Sequence, residues 1–178
     1  TTHVIIPKGV ALLKAATGTV TFSGPFEGSD GCFSGFSAGD VTFGSNSIEK
    51  VFPQWWQVNT TPGTTDMTVA LQCALDTGKN LAPELTTYLT GQLDLKTPNQ
   101  IIRTPATFKA KTGTTILFNI NGTSAGVDLW SIVLEDLTFN LANMTAVSTN
   151  VGIYITRGYN ITIRNVNEEI VGGNFVTP

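Results

Sequence analysis

Most of the chemical capacity of this chain lies in its acidic residues. Asp94, Asp128, Glu135, Asp136, Glu168 and Glu169 are the carboxylates that could serve as acid, base or nucleophile. A glycosidase needs two of them about 5 to 9.5 Å apart across the bond it breaks. The single histidine, His3, sits in a strand-like terminal stretch, which removes His-based proton transfer and His-containing metal sites. Cys32 and Cys73 are far apart and form no CxxC pair, so zinc and thioredoxin chemistry do not fit and two buried free thiols are expected. Hydrolysis would have to rest on carboxylates. Glu168-Glu169 could form an acid pair or bind calcium, against the plainer reading of a solvated turn; no other cofactor is expected. Trp130 is a candidate for stacking on a sugar ring, while Trp55-Trp56 is expected to pack in the core.

The bulk properties narrow the partners. At 178 residues with a formal net charge of -3 and 13% charged residues, the chain suits one domain or one elongated module. Lys and Arg cluster nowhere, so the cationic stripe of a nucleic-acid binder is missing. Thr, Asn, Gly or Ser interrupts the apolar residues every few positions, far short of the roughly 20 that span a bilayer, and membrane insertion is not expected. Thr1-Thr2-His3-Val4-Ile5-Ile6-Pro7 has neither the basic nor the long apolar part of a signal peptide, and a processed start stays open.

The elements that would carry these residues read as an all-β chain with one helix. Short β-branched runs end in turn residues, which predicts strands over 4–6, 10–13, 19–22 and 41–43. Phe26, Phe33 and Phe36 fall in the Gly-rich part between those strands and are expected to plug a core end, with a carbohydrate-stacking platform as the alternative. Asp66 stands as N-cap, Met67, Ala70, Leu71, Ala74 and Leu75 form an apolar face, and Gly78 supplies the stop, so a helix is predicted over 67–77. Strands follow over 89–95, 100–103, 107–110, 115–120, 131–139, 151–155, 160–166 and 174–176. Hairpin signals between them are weak.

Self-similarity supplies the missing organisation, because a solenoid repeats every 20 to 30 residues or so and buries a core only by stacking. Ile132-Val133-Leu134-Glu135-Asp136-Leu137 aligns with Ile161-Thr162-Ile163-Arg164-Asn165-Val166 at a separation of 29 residues. Apolar residues match at the first, third and sixth positions. Asp136 and Asn165 fall at a bend, where both residue types tolerate left-handed backbone. Glu135 and Arg164 become outward neighbours about 4.8 Å apart. The plain reading is an exposed ion-pair ladder; the sharper one is a cleft in which Glu135 and Asp136 do chemistry while Arg164 neutralises a uronate. A weaker match places Gly152-Ile153-Tyr154-Ile155 over Gly173-Asn174-Phe175-Val176, as if another rung were beginning.

Several segments resemble the pectate-lyase-like superfamily of right-handed parallel β-helices, found in bacteriophage tailspikes and bacterial surface polysaccharide-active proteins. They are Gly18 through Glu27, the run from Phe43 into Pro53-Gln54-Trp55-Trp56, and Thr64-Thr65-Asp66-Met67 with the helix that follows. Thr87-Tyr88-Leu89-Thr90-Gly91-Gln92-Leu93 and Asn160-Ile161-Thr162-Ile163-Arg164-Asn165-Val166 complete them. The resemblance covers most of the chain. It departs from the family at Thr61-Pro62-Gly63-Thr64-Thr65-Asp66-Met67, which keeps one Gly and one Asp of a Gly-Asp-Gly loop followed by two Asp. It departs again at Pro83-Glu84-Leu85-Thr86-Thr87-Tyr88, which lacks a Gly, and at Arg103-Thr104-Pro105-Ala106, where Gly-Asp-Gly is common.

The resemblance implies a β-rich lead-in over 1–58, then a capping helix and first rungs over 59–178, as one continuous module. It implies that the helix seals the open first rung. The expected protein is a phage or bacterial surface spike module, on a virion or outside a cell, that binds and in some members degrades host-cell polysaccharide. A homotrimer is the implied assembly, with other virion or surface proteins as further partners. A purely structural or adhesive component is the alternative, and a complete pectate lyase fits less well because its calcium-binding aspartates and basic residues are not assembled here.

Overall fold

Short runs of β-branched and aromatic residues broken by Gly, Pro, Asn and Asp fold as short strands, so the fold is mostly β, with 39% of the described residues in strands and 8% helical. The computed structural model describes residues 2–122, 129–144 and 150–169. The predicted strand at 174–176 and its match to Gly152 lie outside those residues, as does Asp128.

The first 51 residues hold β1 (Val4–Ile5), β2 (Leu12–Leu13), β3 (Val20–Phe22), β4 (Phe26–Glu27), β5 (Phe33–Ser34), β6 (Val41–Phe43) and β7 (Lys50–Val51). A 3-10 turn over Pro53–Trp55 leads to the helix α1 (Thr68–Asp76). Then come β8 (Asn80–Leu81), β9 (Thr87–Thr90) and β10 (Leu93–Leu95), followed by β11 (Ile101–Arg103), β12 (Thr107–Ala110) and β13 (Ile116–Asn121). The next group is β14 (Leu129–Trp130), β15 (Val133–Glu135), β16 (Thr138–Asn140) and β17 (Val151–Thr156). The last is β18 (Gly158–Tyr159), β19 (Thr162–Arg164) and β20 (Asn167–Glu169).

These strands form short parallel sheets. The largest runs β19-β15-β11-β8-β7, beside β20-β16-β12-β9 and β10-β13-β17, with β14-β18 as a fourth small piece. The N-terminal strands pair as β1-β4, β2-β5 and β3-β6. Every pair is parallel, and only β7 and β8, joined through α1, are consecutive in sequence, which is why hairpin signals were weak. Alternate residues stack inward in register. Val51, Leu81, Ile102 and Leu134 form one buried column, and Tyr88, Phe108 and Phe139 another. Leu93 with Phe118 and Leu95 with Ile120 fill the third sheet's inner face.

Two positions carry left-handed backbone in successive strand groups. Asp136 and Asn165 have φ of 59° and 51°, as expected, and Asn99, Ser131 and Asn160 have φ of 61°, 58° and 52° two residues before β11, β15 and β19. These bends divide the longer strands foreseen over 131–139 and 160–166. The stretch foreseen over 89–95 is likewise two strands, parted at Gly91 and Gln92. Thr104 holds the place equivalent to Asp136 but is not left-handed; a β-branched residue ahead of Pro105 is poorly suited to that conformation.

The helix begins one residue later than predicted, with Met67 at the cap position. Asp66 still accepts the Thr68 N–H at 3.0 Å, so the carboxylate serves the first turn from one residue further out. Gly78 ends the helix with φ 72°, donating to the Leu75 carbonyl at 3.0 Å. Phe26 and Phe33 lie on strands, not in Gly-rich loops, and are buried with Phe22, Phe43 and Trp55 in an aromatic cluster whose ring centroids are 4.4 to 6.4 Å apart.

Candidate functional site

Strand β15 ends with Glu135, whose neighbours in register are Arg103 on β11 and Arg164 on β19. Arg103 donates from Nε to Glu135 Oε2, and Arg164 donates from Nε to Oε1 at 2.5 Å. The carboxylate is 11% exposed while the guanidinium side chains are 52% and 54% exposed. Arg164, and then Arg103, hold the Glu135 carboxyl below the usual range, and Glu135 in turn raises Arg164. Both oxygens are thus committed to cations, a poor arrangement for donating a proton near neutral pH. The ladder expected from the 29-residue repeat is present, with a second arginine that a fixed repeat could not find. Arg103 precedes Glu135 by 32 residues.

Asp136 follows at the bend, exposed, and its Oδ1 accepts from Asn165 Nδ2 at 3.0 Å. The same offset of 29 residues relates Ser131 and Asn160, whose Nδ2 donates to Ser131 Oγ at 3.3 Å. Glu135, Asp136 and Arg164 are therefore neighbours, tied into strand-to-strand ladders.

Glu168 and Glu169 stand on β20, not in the loop that was foreseen. Glu168 is in register with the buried Phe139 and Glu169 with Asn140. Successive strand residues point to opposite faces, so the two carboxylates diverge rather than make a chelating or acid pair. Glu168 is exposed, and desolvation beside the core column raises its pKa. Among the described residues no group of three or more His, Cys, Asp or Glu side chains is set to hold a metal ion. Asp94, the remaining described candidate, accepts from Gln92 Nε2 at 2.7 Å and Asn119 Nδ2 at 2.9 Å.

Trp55 is buried and Trp56 half-buried against Phe33, as the core reading expected. Trp130 is different: it is 56% exposed on β14, in register with Tyr159 on β18, itself 62% exposed. Sequence reasoning missed Tyr159. Carrying the 29-residue alignment a few positions upstream places it over Trp130. Cys32 and Cys73 are buried free thiols, both pushed up to about 12 by burial.

Comparison with known protein families, with curated proteins and with solved structures finds no match for the chain. The superfamily resemblance rests on the residues quoted for it. No helix among the described residues is long and apolar enough to cross a membrane.

Proposed function

We propose that this chain is a stretch of right-handed parallel β-helix, capped by α1, in a phage or bacterial surface spike that binds a host-cell polysaccharide. In-register parallel rows with recurrent left-handed bends support the solenoid. The observation that carries the binding reading is Trp130, a large indole left on the solvent side while Trp55 is taken into the core. Trp130 is in register with the similarly exposed Tyr159, and an indole face suits the apolar face of a sugar.

Binding is favoured over degradation by one specific feature. Glu135, the most enclosed of the described candidate carboxylates, is clamped by two guanidiniums. The test is retention of the purified chain on immobilised capsular and pectic polysaccharides, with reducing ends and unsaturated-uronate absorbance followed in parallel. Retention without product supports this reading; product formation moves it to an enzyme, and failure to bind any polymer overturns it. Assembly as a homotrimer belongs to the same proposal and is checked by native mass.

A further inference from the structure

We infer that the ligand is an uncharged polysaccharide laid along the column formed by Trp130 and Tyr159, beside the polar ladder of Asn99, Ser131 and Asn160. This rests on the polysaccharide-binding reading and gives it a place and a ligand class.

The column is built into the backbone. Asn99 donates its N–H to the Trp130 carbonyl at 3.0 Å, and Ser131 donates to the Tyr159 carbonyl at 3.1 Å. Each residue before a left-handed bend is thereby held over the equivalent residue of the next strand, which sets Pro98, Trp130 and Tyr159 in one file. Their main chains are spaced as paired strands are, about 4.8 Å. The bends define the backbone of the file, since left-handed backbone at a residue other than Gly is unfavourable and persists only where its surroundings dictate it. Two aromatic residues that are more than half exposed are thus presented on neighbouring strands of defined backbone, which leaves only side-chain ordering to offset the gain from stacking.

The ligand class follows from charge. All six residues of the file and its ladder are neutral, offering ring faces, two hydroxyls and two side-chain amides. A single-stranded nucleic acid stacks on aromatics but also needs a cationic track along its backbone, and this file has none. A uronate polymer would seek Arg103 and Arg164, whose charge Glu135 already partly neutralises. A neutral glycan, with apolar C–H faces and a rim of hydroxyls, complements ring faces flanked by amides.

The experiment is a titration of the full chain with dextran, mannan and polygalacturonate, followed by tryptophan fluorescence and by retention on the immobilised polymers. A neutral polymer is expected to bind and to change the Trp130 emission. Trp130→Ala and Tyr159→Ala should each weaken binding about tenfold, in the range of an aromatic anchor, with unchanged circular dichroism, and Trp130→Phe should recover part of the loss. If the wild-type chain binds a polymer and both alanine variants bind it equally well, the site is elsewhere and this inference fails while the polysaccharide reading stands. If only polygalacturonate binds, and Arg164→Ala abolishes it while Trp130→Ala does not, the ligand class is overturned. If no polymer binds the wild-type chain, the reading and the inference fall together.

Discussion

At the scale of single residues, the arginines on either side of Glu135 settle what that carboxylate does. Its folded pKa is depressed by Arg164 and Arg103, so its contribution to stability is present above the unfolded carboxyl value, about 4.3, and is lost as pH falls through the lower folded value. Glu135→Gln should therefore lower the urea midpoint at pH 7, and the gap from wild type should close progressively below about pH 4. A gap that is the same at pH 7 and pH 3 would show that charge plays no part. Asn165 offers a test of the bend. With φ 51° and an amide bonded to Asp136, Asn165→Val should cost roughly 1 to 2 kcal/mol of unfolding free energy, while Asn165→Gly loses the amide bond but relieves the backbone and should cost less.

At the scale of elements, α1 closes strand edges that would otherwise be open to another chain. Gln72 does this in the manner of a further strand: its Nε2 donates to the Asp94 carbonyl at 3.0 Å and its Oε1 accepts the Asp94 N–H at 2.9 Å. Thr68 Oγ1 accepts the Gly91 N–H at 2.7 Å, and the Met67 N–H donates to the Leu89 carbonyl at 2.8 Å. The helix thus satisfies the outer main-chain groups of β10 and the end of β9 while its apolar face, Ala70, Leu71, Ala74 and Leu75, covers the core. Gln72→Ala should destabilise the chain by about 1 to 3 kcal/mol, the range for a polar group stripped of its partner. Hydrogen exchange gives the sharper check, because the Asp94 amide should exchange faster in the variant while the amides of β12 should not.

At the scale of the whole molecule, the parallel rows place burial in the middle of the stack. Leu134, with a strand on either side, is fully buried, while its register partner Ile163 on β19, the edge strand of that sheet among the described residues, is 43% exposed. Stability in such a stack is shared between neighbouring rows. The two thiols report on it from different parts, Cys32 beside the N-terminal aromatic cluster and Cys73 on α1. Both are buried and raised to about 12, so neither should react with a thiol reagent at pH 8 until its surroundings open. Labelling in increasing urea should modify both together if the chain unfolds as one unit, and Cys32 first if the N-terminal pairs open separately.

The amino-acid sequence determined what is local or strictly repeated. Alternating β-branched residues and turn residues wrote the strands, the apolar spacing and Gly78 wrote the helix, and the 29-residue match placed Glu135 beside Arg164 and made bends of Asp136 and Asn165. The tertiary structure decided what depends on rows of unequal length. Arg103 joins Glu135 across 32 residues, and Thr21 meets Thr42 across 21, because loops between strands change the period while main-chain hydrogen bonding preserves the register. It also decided exposure. Trp55 is enclosed by Phe26, Phe33 and Phe43, whereas Trp130 on β14 and Glu168 on β20, an edge strand among the described residues, stay exposed, a difference made by non-local packing.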